Sequence, residues 1–284
     1  MPSLETLVPG VHRLELASYT LPPFETSNSF LIEDAGVGVL VDAGFYDASS
    51  LNFIKATLES FKVSFLKAVL LTHTHNDHCE GLDLLQSAYP EIALYVHGNE
   101  YHQVEHFKCL NILADDRKLM VGNKIIQAIF TPGHSPGHLS YYLPEEGVVL
   151  AGDLVAGKGS TWIGKPEGNI KDYLKSIDKL RKLKIKVLAP GHGEAIHNPY
   201  NKLNEMRSHR LARLEQVRKA LTEKPLSLGQ LRQLVYPEVP ETLTIMADSS
   251  LLALLENLMA DFQVMHLGSD EAGPYALHSK TKTN

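Results

Sequence analysis

Four side chains that commonly bind metal ions lie within six consecutive positions of the sequence. The stretch THTHNDH carries His73, His75, Asp77 and His78 directly after the apolar run KAVLL. At the end of an extended strand, residues i and i+2 point the same way, so His73 and His75 can share one ion. Asp77 and His78 follow where the chain must turn into a helix, so their side chains point elsewhere. One tetrahedral ion could not easily take all four ligands, and the spacing predicts two adjacent ions.

The missing ligands are expected at the ends of other strands, and the sequence offers three. His134, Asp153 and His192 each follow an apolar run, with a glycine immediately before the ligand. That glycine lets the backbone bend sharply. A single histidine of this kind would be read as a surface-loop residue, but five histidines and two aspartates at strand ends predict a metal site.

The type of ligand indicates the ion and the kind of site. Imidazoles and carboxylates suit borderline ions, so we predict two divalent metal ions, zinc first, with manganese or iron(II) as alternatives. No cysteine occupies any ligand position, which excludes a closed structural zinc site of the thiolate type. An open site with nitrogen and oxygen ligands is typical of a catalytic centre.

Strands and helices alternate over residues 1–198, and the strand ends supply the ligands. This alternation predicts an α/β fold in which two sheets pack face to face with helices outside. The predicted strands are residues 11–18, 28–34, 37–44, 67–71, 92–98, 124–130, 139–143, 147–153 and 185–191, and the predicted helices are residues 48–62, 82–88 and 169–183.

The pattern changes after residue 198. Residues 199–222 are predicted to form one long helix rich in arginine and lysine. The motif SLGQ is a capping box that opens a short helix, and a third helix is predicted over about 246–261, followed by two short strands. This order predicts a small C-terminal winged-helix-like domain over 199–284, beside a catalytic domain over 1–198.

Composition and charge exclude several classes of protein. The chain has 284 residues, 44% hydrophobic and 21% charged, which is ordinary for a globular protein. Its net charge of −6 gives no general attraction for nucleic acid or acidic membranes. Two cysteines provide no disulfide framework and indicate a reducing compartment. No signal-like N-terminal segment and no apolar run of about 18 residues stand out, so we expect a cytoplasmic protein without a membrane span.

The motifs together resemble those of the metallo-β-lactamase superfamily. THTHNDH is similar to its H-x-H-x-D-H signature, and LVDAG, TPGHSPGH, AGDL and PGHG stand in its usual order. The resemblance covers residues 10–198 and implies a four-layer αβ/βα sandwich with a dinuclear site at one edge. It also implies that Asp42 supports the site without binding a metal. The implied ligands are His73, His75 and His134 for the first metal, Asp77, His78 and His192 for the second, and Asp153 as a bridge.

The C-terminal part resembles one group within that superfamily. APGHGEAIHNPYNKL, SHRLARLEQV and YPEVPETLTIMADSSLLALLENL are similar to the β-lactamase-like protein 2 group, whose animal member cuts single-stranded RNA. The resemblance implies a hydrolase that uses a metal-bridging hydroxide, with single-stranded RNA as the leading substrate. The alternatives are a glyoxalase II-like hydrolase of a thioester, lactone or similar small acyl substrate, and a nucleic-acid- or partner-binding module with a vestigial metal site. A basic track that leads to the metals would favour RNA, whereas a closed apolar pocket would favour an acyl substrate.

Further residues are candidates for the reaction itself. Asp77, as ligand and acceptor, could orient the hydroxide and take its proton. His138 is the candidate proton donor for the leaving group, with a structural histidine as the equal alternative. His209 and Arg210 begin the basic helix, and the resemblance places them near the cleft, where they could bind an anionic substrate. A solvated helix face is the alternative for these two residues.

Overall fold

Two β-sheets and the helices on their outer faces make up the fold. The structure is a computed structural model that describes residues 2–20 and 25–278. The strands are β1 (Ser3–Val8), β2 (Val11–Ala17), β3 (Thr26–Asp34), β4 (Val37–Val41), β5 (Phe65–Leu70), β6 (Ala93–Val96), β7 (Leu110–Ile112), β8 (Lys118–Val121), β9 (Lys124–Phe130), β10 (Leu139–Leu143), β11 (Val148–Ala156), β12 (Val187–His192), β13 (Val264–His266) and β14 (Tyr275–Leu277). The helices are α1 (Ala48–Ser60), α2 (Asn76–Cys79), α3 (Leu82–Ala88), α4 (Tyr101–Val104), α5 (Ile170–Leu180), α6 (Pro199–Ala220), α7 (Leu228–Val235) and α8 (Thr244–Ala260).

The strand order explains where the site lies. Among the described residues, the first sheet has seven strands in the order β1 to β7, and the second has five in the order β12-β11-β10-β9-β8. Strands β4, β5 and β6 run parallel, as do β11 and β12. Their carboxyl ends therefore open at one edge of the sandwich, where loops can gather functional side chains.

Three groups of buried side chains fill the four layers. One group, which includes Phe30, Tyr141 and Leu150, lies between the two sheets. A second joins the first sheet to α1 and α3, for example through Leu40 and Ile54. The third lies on the outer face of the second sheet and includes α5 and the C-terminal helices. This confirms the predicted αβ/βα sandwich.

Local sequence explains the elements nearest the site. Helix α3 and strand β9 occupy the predicted residues, because apolar spacing and flanking glycines define both. The hairpin between β3 and β4 turns at Ala35 and Gly36, with φ of 51° and 80°, as expected for the favoured two-residue turn. Strands β1, β7 and β8 were not predicted. They are short or largely exposed, so they carry little apolar pattern.

The C-terminal elements follow the predicted order of three helices and a hairpin. Their apolar faces pack into the same group of buried residues as β11 and α5, with Leu203, Leu251 and Leu254 fully enclosed. By length and composition alone, Glu241–Ala260 could cross a membrane, since an 18-residue window within it has a mean hydropathy of 1.3. Polar and acidic residues interrupt this segment, and a helix buried in a protein core passes the same test. The winged-helix-like assignment stays a prediction.

Candidate metal centre

The seven predicted ligands lie together at the edge of the sandwich where the parallel strands end. They come from the segment after β5, helix α2, the loop after β9, strand β11 and the end of β12. Within each of two groups, the ligand atoms lie within 4.8 Å of one another. The first group is His73, His75, His134 and Asp153, and the second is Asp77, His78 and His192.

Asp153 lies between the two groups. Its Oδ1 is 3.3 Å from His78 Nε2 and 3.5 Å from His192 Nε2. Its Oδ2 is 3.6 Å from His134 Nε2. One carboxylate therefore faces both groups, each through a different oxygen, which is the position that a bridging ligand needs.

Three ring nitrogens of the first group converge on one point. His75 Nδ1 lies 3.0 Å from His73 Nε2 and 2.9 Å from His134 Nε2. The opposite nitrogens of two of these rings point at acceptors. His134 Nδ1 donates to the Trp162 carbonyl at 2.8 Å, and His75 Nε2 donates to the Glu167 carboxylate at 3.0 Å.

The third ring of this group is held by a hydroxyl. Thr72 Oγ1 donates to Asp42 Oδ2 at 2.8 Å, so it is free to accept from His73 Nδ1 at 3.0 Å. In each of the three rings, the acceptor beside the outer nitrogen indicates that this nitrogen carries the ring proton. Three inward lone pairs face one another, which is unfavourable unless a cation lies between them. The first group therefore fits a divalent ion.

The second group is also built to hold positive charge. His192 Nε2 lies 3.1 Å from Asp77 Oδ2, and its Nδ1 donates to the Thr26 carbonyl at 2.7 Å. Burial lowers the pKa of His192, but the carboxylates of Asp153 and Asp77 outweigh burial and raise that pKa to about 10. Buried Asp77 Oδ2 and His78 Nε2 lack a well-formed hydrogen bond within the described residues. A cation would satisfy these atoms.

Asp42 orients His78 from behind. It is fully buried and accepts hydrogen bonds from Thr72 N at 2.7 Å and from His78 Nδ1 at 2.8 Å. Burial raises the pKa of the Asp42 carboxyl, against the opposing effect of the His78 ring. Its backbone has φ of 60°, an uncommon conformation that aspartate tolerates better than most residues. The contacts place Asp42 in the supporting position that the sequence resemblance implies.

His138 lies behind the ligands and does not line the cavity. Its ring has no exposed surface, its Nδ1 is 3.0 Å from Thr131 Oγ1, and burial holds its pKa well below the ordinary value. A side chain enclosed in this way cannot reach a leaving group in the described conformation. The position favours the alternative, a structural histidine, and the role of proton donor stays a prediction.

His209 and Arg210 also lie outside the cavity lining. Arg210 is 4% exposed, donates to the Thr161 carbonyl, and lies over the Tyr173 ring at 5.6 Å. It therefore contacts the back of the cavity wall rather than the space that a substrate would fill. His209 is half-buried beside it. Binding of an anionic substrate by these two residues stays a prediction.

A cavity of about 390 Å³ opens over the ligands. Five ligands form its floor, and no lysine or arginine is among the described residues that line it. The walls are Tyr19, Thr20, Val155, Ala156, Ser160, Thr161, Trp162 and Met246. The cavity combines a polar floor with largely apolar walls, the common form of a small-molecule site.

Two glutamates at the site were not found from the sequence. Glu167 accepts from His75, as described above. Glu100 is 2% exposed and accepts from Ser135 Oγ at 2.6 Å and Gly137 N at 2.9 Å. It also accepts from the Thr74 hydroxyl, so it ties the loop of His134 to the segment after β5. Neither glutamate lies in a motif, so no local signal identifies them.

Comparison with known proteins finds a matching family model and several curated relatives. The family model described as the metallo-beta-lactamase superfamily matches residues 22–192. A beta-lactamase-like protein 2 homolog from Caenorhabditis elegans is 26% identical, covering 92% of this chain and 90% of the relative. An atrochrysone carboxyl ACP thioesterase from Aspergillus fumigatus is 28% identical, covering 78% of this chain and 68% of the relative.

Solved structures share the fold over almost the whole chain. A metallo-beta-lactamase family protein from Thermus thermophilus has a TM-score of 0.78 at 25% identity, covering 96% of this chain and 100% of the other. A beta-lactamase domain protein from Burkholderia ambifaria has a TM-score of 0.83 at 22% identity, covering 96% of this chain and 93% of the other. Both similarities extend through the C-terminal helices.

Proposed function

The chain belongs to the metallo-β-lactamase superfamily, and we propose that it is a dinuclear metal-dependent hydrolase of an acyl thioester. The observation that carries this proposal is the cavity over the ligands. Its floor holds five ligand side chains, and its walls include Val155, Trp162 and Met246 but no cationic side chain among the described residues. Such a cavity favours an uncharged, apolar acyl group next to the reacting carbonyl.

The metals are proposed to be zinc ions. The residues that would hold them are the two groups described above, with Asp153 facing both. When bound, divalent ions supply a Lewis acid for the carbonyl oxygen and lower the pKa of a water molecule toward neutrality. The nitrogen and carboxylate donors fit zinc and leave manganese and iron(II) as alternatives.

The protein's own residues supply positioning and a proton acceptor. The carboxylate of Asp77 lines the cavity, 3.1 Å from His192 Nε2, so it can accept a proton from an attacking water. Beyond the ligands, the only ionisable side chain among the described lining residues is Tyr19. A thiol has an ordinary pKa of about 8.5, so a thiolate leaves without the proton donor that an alkoxide requires. Because the described lining residues offer no carboxylic acid or imidazole beyond the ligands to protonate a leaving group, a thioester is favoured.

Single-stranded RNA is the second candidate. It is supported by the sequence resemblance of the C-terminal part and by the relative that matches over 90% of its length. RNA binding depends on cations that neutralise phosphates, whereas arginines of α6 are paired with acids. Arg207 contacts Asp178 at 3.0 Å, and Arg213 contacts Glu238 at 2.8 Å. The charge distribution therefore ranks RNA below a thioester.

The test is a substrate panel with the metal-loaded protein. It comprises thioesters with acetyl and longer apolar acyl groups, a lactone and labelled single-stranded RNA. We expect thioester hydrolysis that rises with acyl length and is lost in Asp77→Ala. An exposed carboxylate on α3, changed in Asp83→Asn, is the matched control and should keep full activity. Cleavage of RNA without any thioester hydrolysis would refute the proposed substrate class.

A further inference from the structure

Residues 161–167 form a short segment that touches both halves of the protein, and we call it the wall segment. It carries two of the acceptors that orient ligands of the first group. The Trp162 carbonyl accepts from His134 Nδ1 at 2.8 Å, and the Glu167 carboxylate accepts from His75 Nε2 at 3.0 Å. The orientation of these two imidazoles therefore depends on where the wall segment lies.

Helix α8 fixes the position of the wall segment. The Trp162 indole donates to the Met246 carbonyl at 3.2 Å. Lys165 N donates to the Ser249 carbonyl at 3.2 Å, and Ser249 Oγ donates to the Lys165 carbonyl at 2.7 Å. The last two bonds are reciprocal, so they fix the backbone at Lys165 against the helix. From α6, Arg210 donates to the Thr161 carbonyl.

The contact between the wall segment and α8 is close. A Cβ placed on Gly164 would lie 2.4 Å from Ser249 Oγ and 2.3 Å from the Trp162 ring. Such distances are too short for any side chain, so glycine allows the approach here. The wall segment cannot shift toward α8, and its hydrogen bonds prevent it from moving away.

We propose that Glu167 is a positioning residue for His75, and that α8, by holding the wall segment, makes the C-terminal helices part of the first metal site. This rests on the proposed dinuclear site. Ligand histidines depend on the partner of their outer nitrogen, and loss of that partner typically weakens metal binding about 10- to 100-fold. The second group has other partners, Asp42 and the Thr26 carbonyl, so it is independent of the wall segment.

The experiment is a zinc titration of the metal-free protein against a chromophoric chelator. Glu167→Ala should weaken one of the two binding steps about 10- to 100-fold and leave the other unchanged. Glu167→Gln keeps an acceptor oxygen and should restore most of the loss. Ser249→Ala should weaken the same step by a smaller factor. Glu105→Gln is the matched control and should leave both steps unchanged, because Glu105 also contacts a histidine ring, that of exposed His102 at 3.0 Å, but lies in neither the wall segment nor α8.

Each outcome decides one part of the proposal. Two wild-type binding steps in Glu167→Ala would overturn the role of Glu167, and two wild-type steps in Ser249→Ala would overturn the role of α8. Equal weakening of both steps would show a general loss of structure and would also overturn it. Wild-type protein that binds no zinc would instead refute the proposed function. Circular dichroism of each metal-free variant verifies that the fold is intact.

Discussion

We expect Asp42 to keep His78 in the tautomer that a second metal would require, and Asp42→Ala tests this. The carboxylate accepts from Thr72 N at 2.7 Å, from Thr72 Oγ1 at 2.8 Å and from His78 Nδ1 at 2.8 Å. Alanine removes all three acceptor contacts in a fully buried place. The Thr72 hydroxyl can rotate to another acceptor, whereas Thr72 N and His78 Nδ1 lose their acceptor, and only a shift of the His78 proton relieves the second loss.

The expected loss in the free energy of unfolding follows from these lost contacts. Two buried unsatisfied donors cost about 1–3 kcal/mol each, and alanine at φ of 60° adds about 1–2 kcal/mol. The sum is about 3–8 kcal/mol, reduced because a buried carboxylate no longer has to be desolvated. His78 can then move its proton to Nε2, which removes the lone pair that faces the second metal. We expect one zinc-binding step to weaken about 10- to 100-fold.

Asp42→Asn separates stability from metal binding. The amide oxygen can keep the contacts to His78 and the Thr72 hydroxyl, while the amide nitrogen faces Thr72 N and loses one hydrogen bond. We expect a loss of about 1–3 kcal/mol in the free energy of unfolding but nearly normal zinc affinity. Urea unfolding of the metal-free protein and chelator-competed zinc titration measure the two effects. Wild-type affinity in Asp42→Ala, or equal loss of affinity in both variants, would refute the reasoning.

Three further predictions follow from the cavity, a buried histidine and the metal. Met246→Ala, which keeps the backbone carbonyl bonded to the Trp162 indole, should raise KM for long-chain thioesters about 10- to 100-fold, from loss of about 1.5–3 kcal/mol of apolar contact, with acetyl thioesters little changed in steady-state assays. Burial lowers the pKa of His12 from 6.5, so the unfolded chain binds the extra proton and the free energy of unfolding falls as pH drops below that value. The His12 ring stacks on Phe61, and a phenylalanine can keep that stacking. In urea unfolding, His12→Phe should therefore show a smaller dependence of the free energy of unfolding on pH, and an unchanged dependence would contradict this. Zinc at 100 times its Kd should stabilise the protein by about 2.7 kcal/mol per site, and a melting temperature insensitive to chelator would argue against a metal at either group.

The sequence predicts where the candidate ligands gather because the physics that places most of them is local. An apolar strand followed by glycine and a polar residue tends to leave that residue where the strand ends, and His134 and His192 follow this pattern. Asp153 does not, because β11 continues to Ala156 with an irregular register after Gly152. The same rule predicted β9 and β12 to within two residues. Edge strands such as β1 lack such a signal, because their exposed side chains carry little apolar alternation.

Long-range polar contacts could not be predicted in this way. Glu167 is 92 residues from His75 along the chain, and Glu100 is 35 residues from Ser135. Each contact exists only because two loops meet after the sheets have packed. Nothing in the immediate sequence of either glutamate distinguishes it from a solvated charge. His138 shows a different limit, since its motif position next to ligands suggested chemistry, whereas the structure encloses its ring.

The C-terminal helices form part of the cavity and pack into the core of the second sheet. A winged-helix-like unit attached to a hydrolase suggests a separate nucleic-acid-binding surface. Here Met246 of α8 forms part of the cavity wall, and Leu203 and Leu254 pack into the same buried group as β11 and α5. A unit that completes the wall limits the size of the group that the cavity can hold. Substrate selection should therefore respond to substitutions in α8 that face the cavity, before any change at the ligands.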